Sequence, residues 1–206
     1  REISNLFIRT GRIQYIVMSF ILSAFIVFGK QFIYLWAGEG YEDAYYLSLM
    51  FFVPLTIPLI QNLGISILQA RNQMKFRSLL YVVIALASLG LSILLAKQYG
   101  GYGCAFATSL ALLLGQGLIM NIYYHNKQHL DMVQFWKEIL KMSIVPIVLV
   151  IIGMLVVNSS FLATISIVRF VVMVVVFSAC YGIAFWLFSM SKEERNLVIQ
   201  PLKNML

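Results

Sequence analysis

The sequence predicts an all-α integral membrane protein, and its composition, its hydropathy and its long apolar runs point to this class. Of its 206 residues, 61% are apolar and only 11% are charged, and the mean hydropathy is +0.89. A soluble domain is roughly 45–50% apolar and about 25% charged, so this chain lacks the polar residues that would cover a water-soluble globule. Because it has 4 prolines and 2 cysteines, collagen-like and disulfide-rich classes are excluded as well.

Six apolar runs have the length of about 20 residues that a membrane-crossing helix needs. The predicted spans are 13–36 (with an interfacial stretch after Phe28), 44–68, 79–96, 102–124, 139–157 and 165–188. Each run is continuously apolar, which favours helices over the alternating strands of a transmembrane barrel. The pair Gly100-Gly101 predicts a turn between the third and fourth spans. Residues 131–141 fit either a short interfacial helix or the first turns of the fifth span.

The basic residues predict the orientation of the chain. Of 15 lysines and arginines, twelve fall in the lead segment, two alternate connections and the tail. The other three are Lys30, Lys97 and Arg169, and they belong to the opposite side. Since basic residues are retained in the cytoplasm, both ends of the chain are predicted to be cytoplasmic. This topology accounts for the net charge of +7, so no nucleic-acid partner is expected.

The second predicted span carries a polar face. Its prolines and polar residues recur at intervals of three or four, which places them on one side of a helix. They are Pro54, Pro58, Asn62, Ser66, Gln69 and Gln73, with Gln61 beside them. The two prolines free backbone carbonyls and permit a bend. Amides facing lipid would be costly, so two interpretations are open: the wall of a hydrated substrate path, or hydrogen bonding between packed helices.

Residues that could carry catalysis are sparse. The sequence contains none of the hydrolase, metalloprotease or nucleotide-binding motifs, and we expect no catalytic residue, metal or cofactor. His125 and His129 are four apart, but a zinc site needs further ligands, which favours a pair of solvated loop histidines. Arg169 is the only base well inside an apolar run. It is a candidate for the substrate path, with snorkelling to the headgroups as the favoured alternative.

Three segments carry a resemblance to a known family. Residues 28–44, FGKQFIYLWAGEGYEDA, resemble the "fG..fi.LW.G..Y..A" segment of bacterial polysaccharide (O-antigen-type) flippases. These proteins belong to the MATE-like multidrug/oligosaccharidyl-lipid/polysaccharide exporter superfamily. Residues 68–75, LQARNQMK, are similar to a cytoplasmic turn of that family, and residues 99–108, YGGYGCAFAT, to the entry into its next helix. The resemblance covers roughly residues 1–125, while the last two spans match in hydropathy alone.

The resemblance implies a six-helix bundle that forms the C-terminal half of a two-lobe transporter in the bacterial inner membrane. The N-terminal lobe would precede residue 1 in a longer chain. Such a protein flips an undecaprenyl-diphosphate-linked oligosaccharide from the cytoplasmic to the outer leaflet by alternating access, during synthesis of O-antigen, capsule or exopolysaccharide. Its partners are the bilayer, the lipid-linked oligosaccharide and the other lobe. Cavities in this family are often cationic, and Arg71 and Arg169 are the candidates here.

Three other functions are open, and one of them is a purely structural partner subunit. A MATE-type drug/cation antiporter would typically need an ionisable acid inside a span, and no span of this chain contains one. A membrane-embedded enzyme of glycan assembly would need acidic or histidine groups at the membrane surface. The only acidic cluster is Glu39, Glu42 and Asp43. We interpret these negative charges as stabilising the N-terminal end of the second span by a favourable interaction with its helix dipole.

Overall fold

The computed structural model describes residues 2–157, 167–190 and 194–195, and every regular element in these ranges is helical. The elements are α1 (Glu2–Ala37), α2 (Glu42–Ile60), α3 (Leu63–Ala70), α4 (Met74–Leu112), a π-helical segment (Leu113–Ile119), α5 (Met120–Asn126), α6 (Met132–Val157) and α7 (Ile167–Phe188). Five described helical runs are long and apolar enough to cross a membrane: Glu2–Ala37, Glu42–Ile60, Met74–Asn126, Met132–Val157 and Ile167–Phe188. The predicted all-α class is confirmed, and these five helical runs are compatible with a membrane helical bundle.

The longest helical run doubles back on itself at Gly100. This residue has φ 56° and ψ −132°, a conformation that glycine adopts without strain. The rings of Phe76 and Tyr123 stack with centroids 4.1 Å apart, and Ser88 Oγ donates to Thr108 Oγ1 over 2.9 Å. A straight helix would hold Ser88 and Thr108 about 30 Å apart. The predicted turn is therefore confirmed, and the run is an antiparallel hairpin with a first arm (74–99) and a second arm (101–126).

The predicted second span, 44–68, is divided in the structure into two helices. α2 ends at Ile60 and α3 begins at Leu63, and the Asn62 amide lies 3.4 Å from the Leu59 carbonyl oxygen, a weak helical contact. Pro58 lacks an amide hydrogen, so the last turn of α2 has already lost one backbone hydrogen bond. The prolines therefore precede a break in the helix, and α2 itself runs through both of them.

The structure also decides between the two interpretations of residues 131–141. α6 runs without interruption from Met132 to Val157, so this stretch forms the first turns of the fifth predicted span. α1 likewise continues past Phe28 to Ala37 as one helix. Of the sixth predicted span, residues 165–166 lie outside the described residues, and α7 accounts for the rest.

The basic connections meet at one end of the bundle, which we call the basic end. There the first turns of α1 contact the start of α6, the α3–α4 turn contacts the α5–α6 connection, and α1 contacts the chain after α7. The hydrogen bonds are Asp131 N to Ser4 Oγ (2.9 Å), Arg71 Nη1 to Gln128 O (3.2 Å) and Arg12 Nη2 to Ser189 O (3.2 Å). These four regions were predicted to share one side of the membrane, and they share one end of the fold.

Arg12 ties three parts of the chain together at the basic end. Its Nε and Nη2 donate to the two carboxylate oxygens of Glu194 over 2.7 and 3.1 Å, and its Nη1 pairs with Glu138. The Glu194 side chain is only 2% exposed, so the guanidinium neutralises a buried carboxylate. Arg12 thereby joins α1 to α6 and to the segment that follows α7.

The opposite end of the bundle, which we call the aromatic end, contains the α1–α2 turn and the tip of the hairpin. Tyr102, beside that tip, donates to Asp43 of α2 over 2.7 Å. Exposed aromatic side chains surround this end: Phe32, Tyr34, Trp36, Tyr41 and Tyr46. Trp36 alone is 81% exposed. Tyrosine and tryptophan favour the headgroup level of a membrane, which is where this end is expected to lie.

Candidate functional site

α3 has one buried side and one exposed polar side. Gly64 and Leu68 are four residues apart and are both buried. The exposed residues are Asn62, Ser66, Gln69 and, after the helix, Gln73, and we call these four the polar face. All four predicted residues are exposed, and Gln73 is separated from the helix by the turn at Asn72, which has a positive φ of 54°. Pro54 is buried and Pro58 half-buried, so the two prolines do not continue the exposed face into α2.

The orientation of α3 is fixed by a close contact with the hairpin. A Cβ added to Gly64 would lie 2.5 Å from Cζ of Tyr124, a side chain that is 0% exposed. Tyr124 is in turn held by Arg77, whose Nη1 donates to its hydroxyl over 2.9 Å. A larger residue at position 64 would displace α3. Glycine therefore permits the close contact with Tyr124 that leaves the polar face of α3 exposed.

The polar face lies towards the basic end of the bundle. The 19 residues of α2 span about 28 Å, close to the ~30 Å thickness of the hydrocarbon core. Asn62 follows the end of α2, so the chain has crossed most of that thickness before the polar face begins. A Cβ added to Gly11, the neighbour of Arg12, would lie 2.9 Å from the Ile60 carbonyl oxygen. The start of α3 is therefore level with the Arg12 cluster.

Gln61 differs from its neighbour Asn62 because its side chain is buried, with 3% exposure. Its Nε2 donates to Asn121 Oδ1 over 2.9 Å, and Trp136 Nε1 donates to the same oxygen over 2.8 Å. The Asn121 amide donates back into the second arm, to Gly117 O over 2.7 Å. The network joins the α2–α3 break, the hairpin and α6. Of the two interpretations offered by the sequence, hydrogen bonding between packed helices is the one that applies to Gln61.

The carbonyl freed by Pro54 and the carbonyls beside the helix break are hydrogen-bonded. Pro54 cannot donate to Met50 O, and that oxygen instead accepts from Ser109 Oγ over 2.5 Å. With its amide nitrogen turned towards α2, Gln14 donates to the carbonyl oxygen of Ile60 over 3.1 Å and to that of Leu59 over 3.2 Å. Unpaired carbonyls are costly inside a membrane. Side chains from α1 and the hairpin therefore make the irregular α2–α3 backbone stable there.

Arg71 and Gln73 converge on one buried glutamine. Arg71 Nη1 donates to Gln128 Oε1 over 2.9 Å, and Gln128 Nε2 donates to Gln73 Oε1 over 2.5 Å. The Gln128 side chain is 1% exposed, whereas Arg71 and Gln73 are exposed. Arg71 forms no ion pair with an acid in the described ranges. Its charge is thus available at the end of the polar face, in a position suited to an anionic group.

Arg77 is one of the bases in the predicted connection between the second and third spans, but it is buried, with 5% exposure. Its Nη2 donates to Tyr81 Oη over 2.9 Å, and its guanidinium carbon lies 5.1 Å from the centre of the Tyr81 ring. Tyr81 is four residues further along the helix, so this partner was recognisable from spacing. The second partner, Tyr124, comes from the other arm of the hairpin and has no signal in the local sequence.

Arg169 is not brought together with the polar face. It is exposed near the start of α7, whose other end meets Arg12 at the basic end. The 22 residues of α7 span about 33 Å, which separates Arg169 from the level of α3. Its membership of the same substrate path as Arg71 stays a prediction. The position suits a side chain that reaches the headgroups.

His125 lies in the last turn of α5, and His129 lies within the α5–α6 connection. His125 Nδ1 is 3.2 Å from Leu130 O, and His129 has a positive φ of 54°. Within the described part of the chain, no three histidine, cysteine, aspartate or glutamate side chains group as metal ligands.

Comparison of the chain with protein-family models, with curated proteins and with solved structures found no match. The likeness to O-antigen-type flippases therefore stands on the three sequence segments alone.

Proposed function

We propose that the chain is one lobe of a transporter that moves an undecaprenyl-diphosphate-linked oligosaccharide from the cytoplasmic to the outer leaflet of a bacterial inner membrane. The observation that carries this proposal is the polar face, which is exposed on a bundle whose described surface is otherwise largely apolar. Exposed amides require water or a protein partner, since hydrocarbon satisfies none of their hydrogen bonds. A hydrated mouth between this lobe and a second one would supply both.

The proposed path has the polarity that such a substrate needs. Amides and hydroxyls of the polar face suit the hydroxyls of a sugar, and the charge of Arg71 at its end suits the diphosphate. The polyprenyl tail would stay in the hydrocarbon against the apolar outer surface of the helices. Rocking of two lobes around this path requires no covalent chemistry, which is consistent with our expectation that the protein is not an enzyme.

The hairpin at Gly100 supports a count of six crossings. If each arm crosses the membrane, then α1, α2 with α3, the two arms, α6 and α7 make six. An even number is consistent with the meeting of the start of α1 and the segment after α7 at one end. By the positive-inside rule we assign the basic end to the cytoplasm.

The proposal is tested by two neighbouring substitutions in the complete transporter that contains this chain. Asn62→Leu removes an exposed amide of the polar face, and Gln61→Leu removes the buried amide beside it. In a host that lacks its own flippase, we expect Asn62→Leu to lower surface polysaccharide per folded molecule about tenfold. That is the effect of about 1.4 kcal/mol of lost interaction with the moving sugar. Gln69→Leu should behave in the same way.

Thermal unfolding in detergent distinguishes a path from packing. Asn62→Leu should leave the melting temperature unchanged, because Asn62 makes no side-chain hydrogen bond with the described part of the chain. Gln61→Leu should lower stability by about 1–2 kcal/mol, because the Asn121 oxygen loses one donor. If Asn62→Leu and Gln69→Leu export normally per folded molecule, the polar face does not line the substrate path.

A further inference from the structure

A cavity of about 330 Å³ lies at the aromatic end, where the last turns of α1 face the first turns of α2. Its polar and aromatic lining comes from both helices: Lys30, Gln31, Tyr34, Glu42, Tyr45 and Tyr46. Ligand pockets in proteins run from about 300 to 1,000 Å³, so this cavity is at the small end of that range. It is suited to a single compact polar group, and it is far from the polar face of α3.

The cavity holds a positive charge that the described acids leave unpaired. Lys30 Nζ stands over two rings, 4.9 Å from the centroid of Tyr46 and 5.4 Å from that of Tyr45. Tyr45 is itself fixed, since it is 6% exposed and its hydroxyl donates to Ile26 O over 2.8 Å. Lys30 forms no ion pair with any acid of the described ranges. A preformed aromatic wall thus holds an ammonium group that forms no ion pair within the described ranges, and the Glu42 carboxylate attracts it from a longer distance.

Two residues with hydrogen-bond acceptors belong to the lining of the same cavity. Gln31 Oε1 is buried, and no group of the described chain donates to it. A buried carbonyl oxygen without a donor is uncommon in folded proteins, so a rotation of the Gln31 side chain that brings this oxygen to an N–H donor in the cavity would be favourable. The Glu42 carboxylate lines the cavity as well. The ligand that fits should therefore combine an anion for Lys30 with an N–H donor for Gln31 and Glu42.

From this complementarity we propose that the cavity binds the headgroup of a phosphatidylethanolamine lipid. The lipid phosphate pairs with Lys30, and its primary ammonium donates to Gln31 Oε1 and Glu42. The exposed aromatic side chains around the cavity place it at headgroup level, where such lipids are concentrated. A choline headgroup has no N–H to donate, and a glycerol headgroup has no cation for Glu42. The site goes beyond the proposed transport function and does not depend on it.

The test measures lipid retention by the purified full-length protein that contains this chain. The protein is exposed to an equimolar mixture of phosphatidylethanolamine, phosphatidylcholine and phosphatidylglycerol in detergent, and bound lipids are counted by native mass spectrometry. Lys30→Gln and Gln31→Leu are the test variants. The chain offers matched controls in Lys97→Gln and Gln98→Leu, which alter an identical Lys-Gln pair that is exposed near the hairpin tip at the same end.

We expect the unaltered protein to retain phosphatidylethanolamine in preference to the other two lipids. Lys30→Gln should lower that retention at least fivefold, the order of effect of one charge-assisted hydrogen bond. Gln31→Leu should reduce the preference for phosphatidylethanolamine over phosphatidylcholine, and both control variants should behave like the unaltered protein. Equal retention of all three lipids, a preference that survives both test variants, or an equal loss in the controls would each overturn the proposal.

Discussion

Ser88 donates a hydrogen bond of 2.9 Å to Thr108 although twenty residues separate them along one helical run. The contact joins the middle of the first arm to the second arm, in a region where few other polar groups are present. Interhelical hydrogen bonds of this kind stabilise membrane bundles by about 1 kcal/mol each. The close approach of the arms matters more than this single bond, because it converts an unusually long helix into two neighbouring helices.

The hairpin predicts a specific disulfide. In a background with Cys104 and Cys180 replaced by alanine, Ser88→Cys with Thr108→Cys should form a disulfide on mild oxidation, because the two oxygens already lie within bonding reach. Mass spectrometry of protease-digested protein would detect the joined peptides. The control pair Ser88→Cys with Leu118→Cys should not form a link, since position 118 is ten residues further along the second arm. Failure of the first pair to join while both cysteines stay reactive would show that the arms do not meet.

The close contact between Gly64 and Tyr124 predicts opposite effects of two glycine substitutions. Gly64→Ala should destabilise the protein by about 1–3 kcal/mol, because the new methyl group would overlap the buried Tyr124 ring. Gly90→Ala meets no atom within 4 Å and should stabilise the protein by about 0.5–1 kcal/mol through its better helix propensity. Thermal unfolding in detergent compares the two. A neutral result for Gly64→Ala would mean that α3 is not seated on the hairpin.

The Arg12 cluster predicts a large and local loss of stability. Arg12→Gln removes the guanidinium that neutralises the Glu194 carboxylate, which is 2% exposed, and that should cost about 3–5 kcal/mol. Lys141→Gln removes an exposed charge on α6 and should change stability by less than about 0.5 kcal/mol. Limited proteolysis should then cleave the chain after α7 faster in Arg12→Gln than in Lys141→Gln. Equal cleavage of both variants would contradict a clamping role for Arg12.

The sequence predicted the features that depend on local physics. Long, continuously apolar runs indicated helices because the strands of a transmembrane barrel would alternate apolar and polar residues. Gly100 indicated a turn because glycine adopts a positive φ easily. The shared exposure of Asn62, Ser66 and Gln69 followed from helical spacing. In each case neighbours along the chain carried the information.

Features that depend on contacts between distant residues were not predictable in the same way. Gln61 and Asn62 are adjacent amides, and only the helix break and the approach of Asn121 decide that one is buried and the other exposed. Arg77 lies in a basic connection of the sequence, and its contact with Tyr124 of the other arm has no signal in the local sequence. Gln128, the buried centre of the Arg71 contact, likewise has no distinguishing local pattern.

The π-helical segment in the second arm has a consequence for the phase of that helix. Asn121 lies twelve positions after Ser109, and in a regular α-helix this is about one third of a turn beyond three full turns, so the two side chains would point in different directions. The π segment has more residues per turn than an α-helix, so it contains about one extra residue for the same rotation. The twelve positions therefore rotate the chain by about as much as eleven α-helical residues, which is close to three whole turns. Ser109 can therefore reach Met50 while Asn121 reaches Gln61, both on α2 and its break. One surplus residue thus acts as a rotational correction that turns two separate polar groups of the second arm towards the same neighbour.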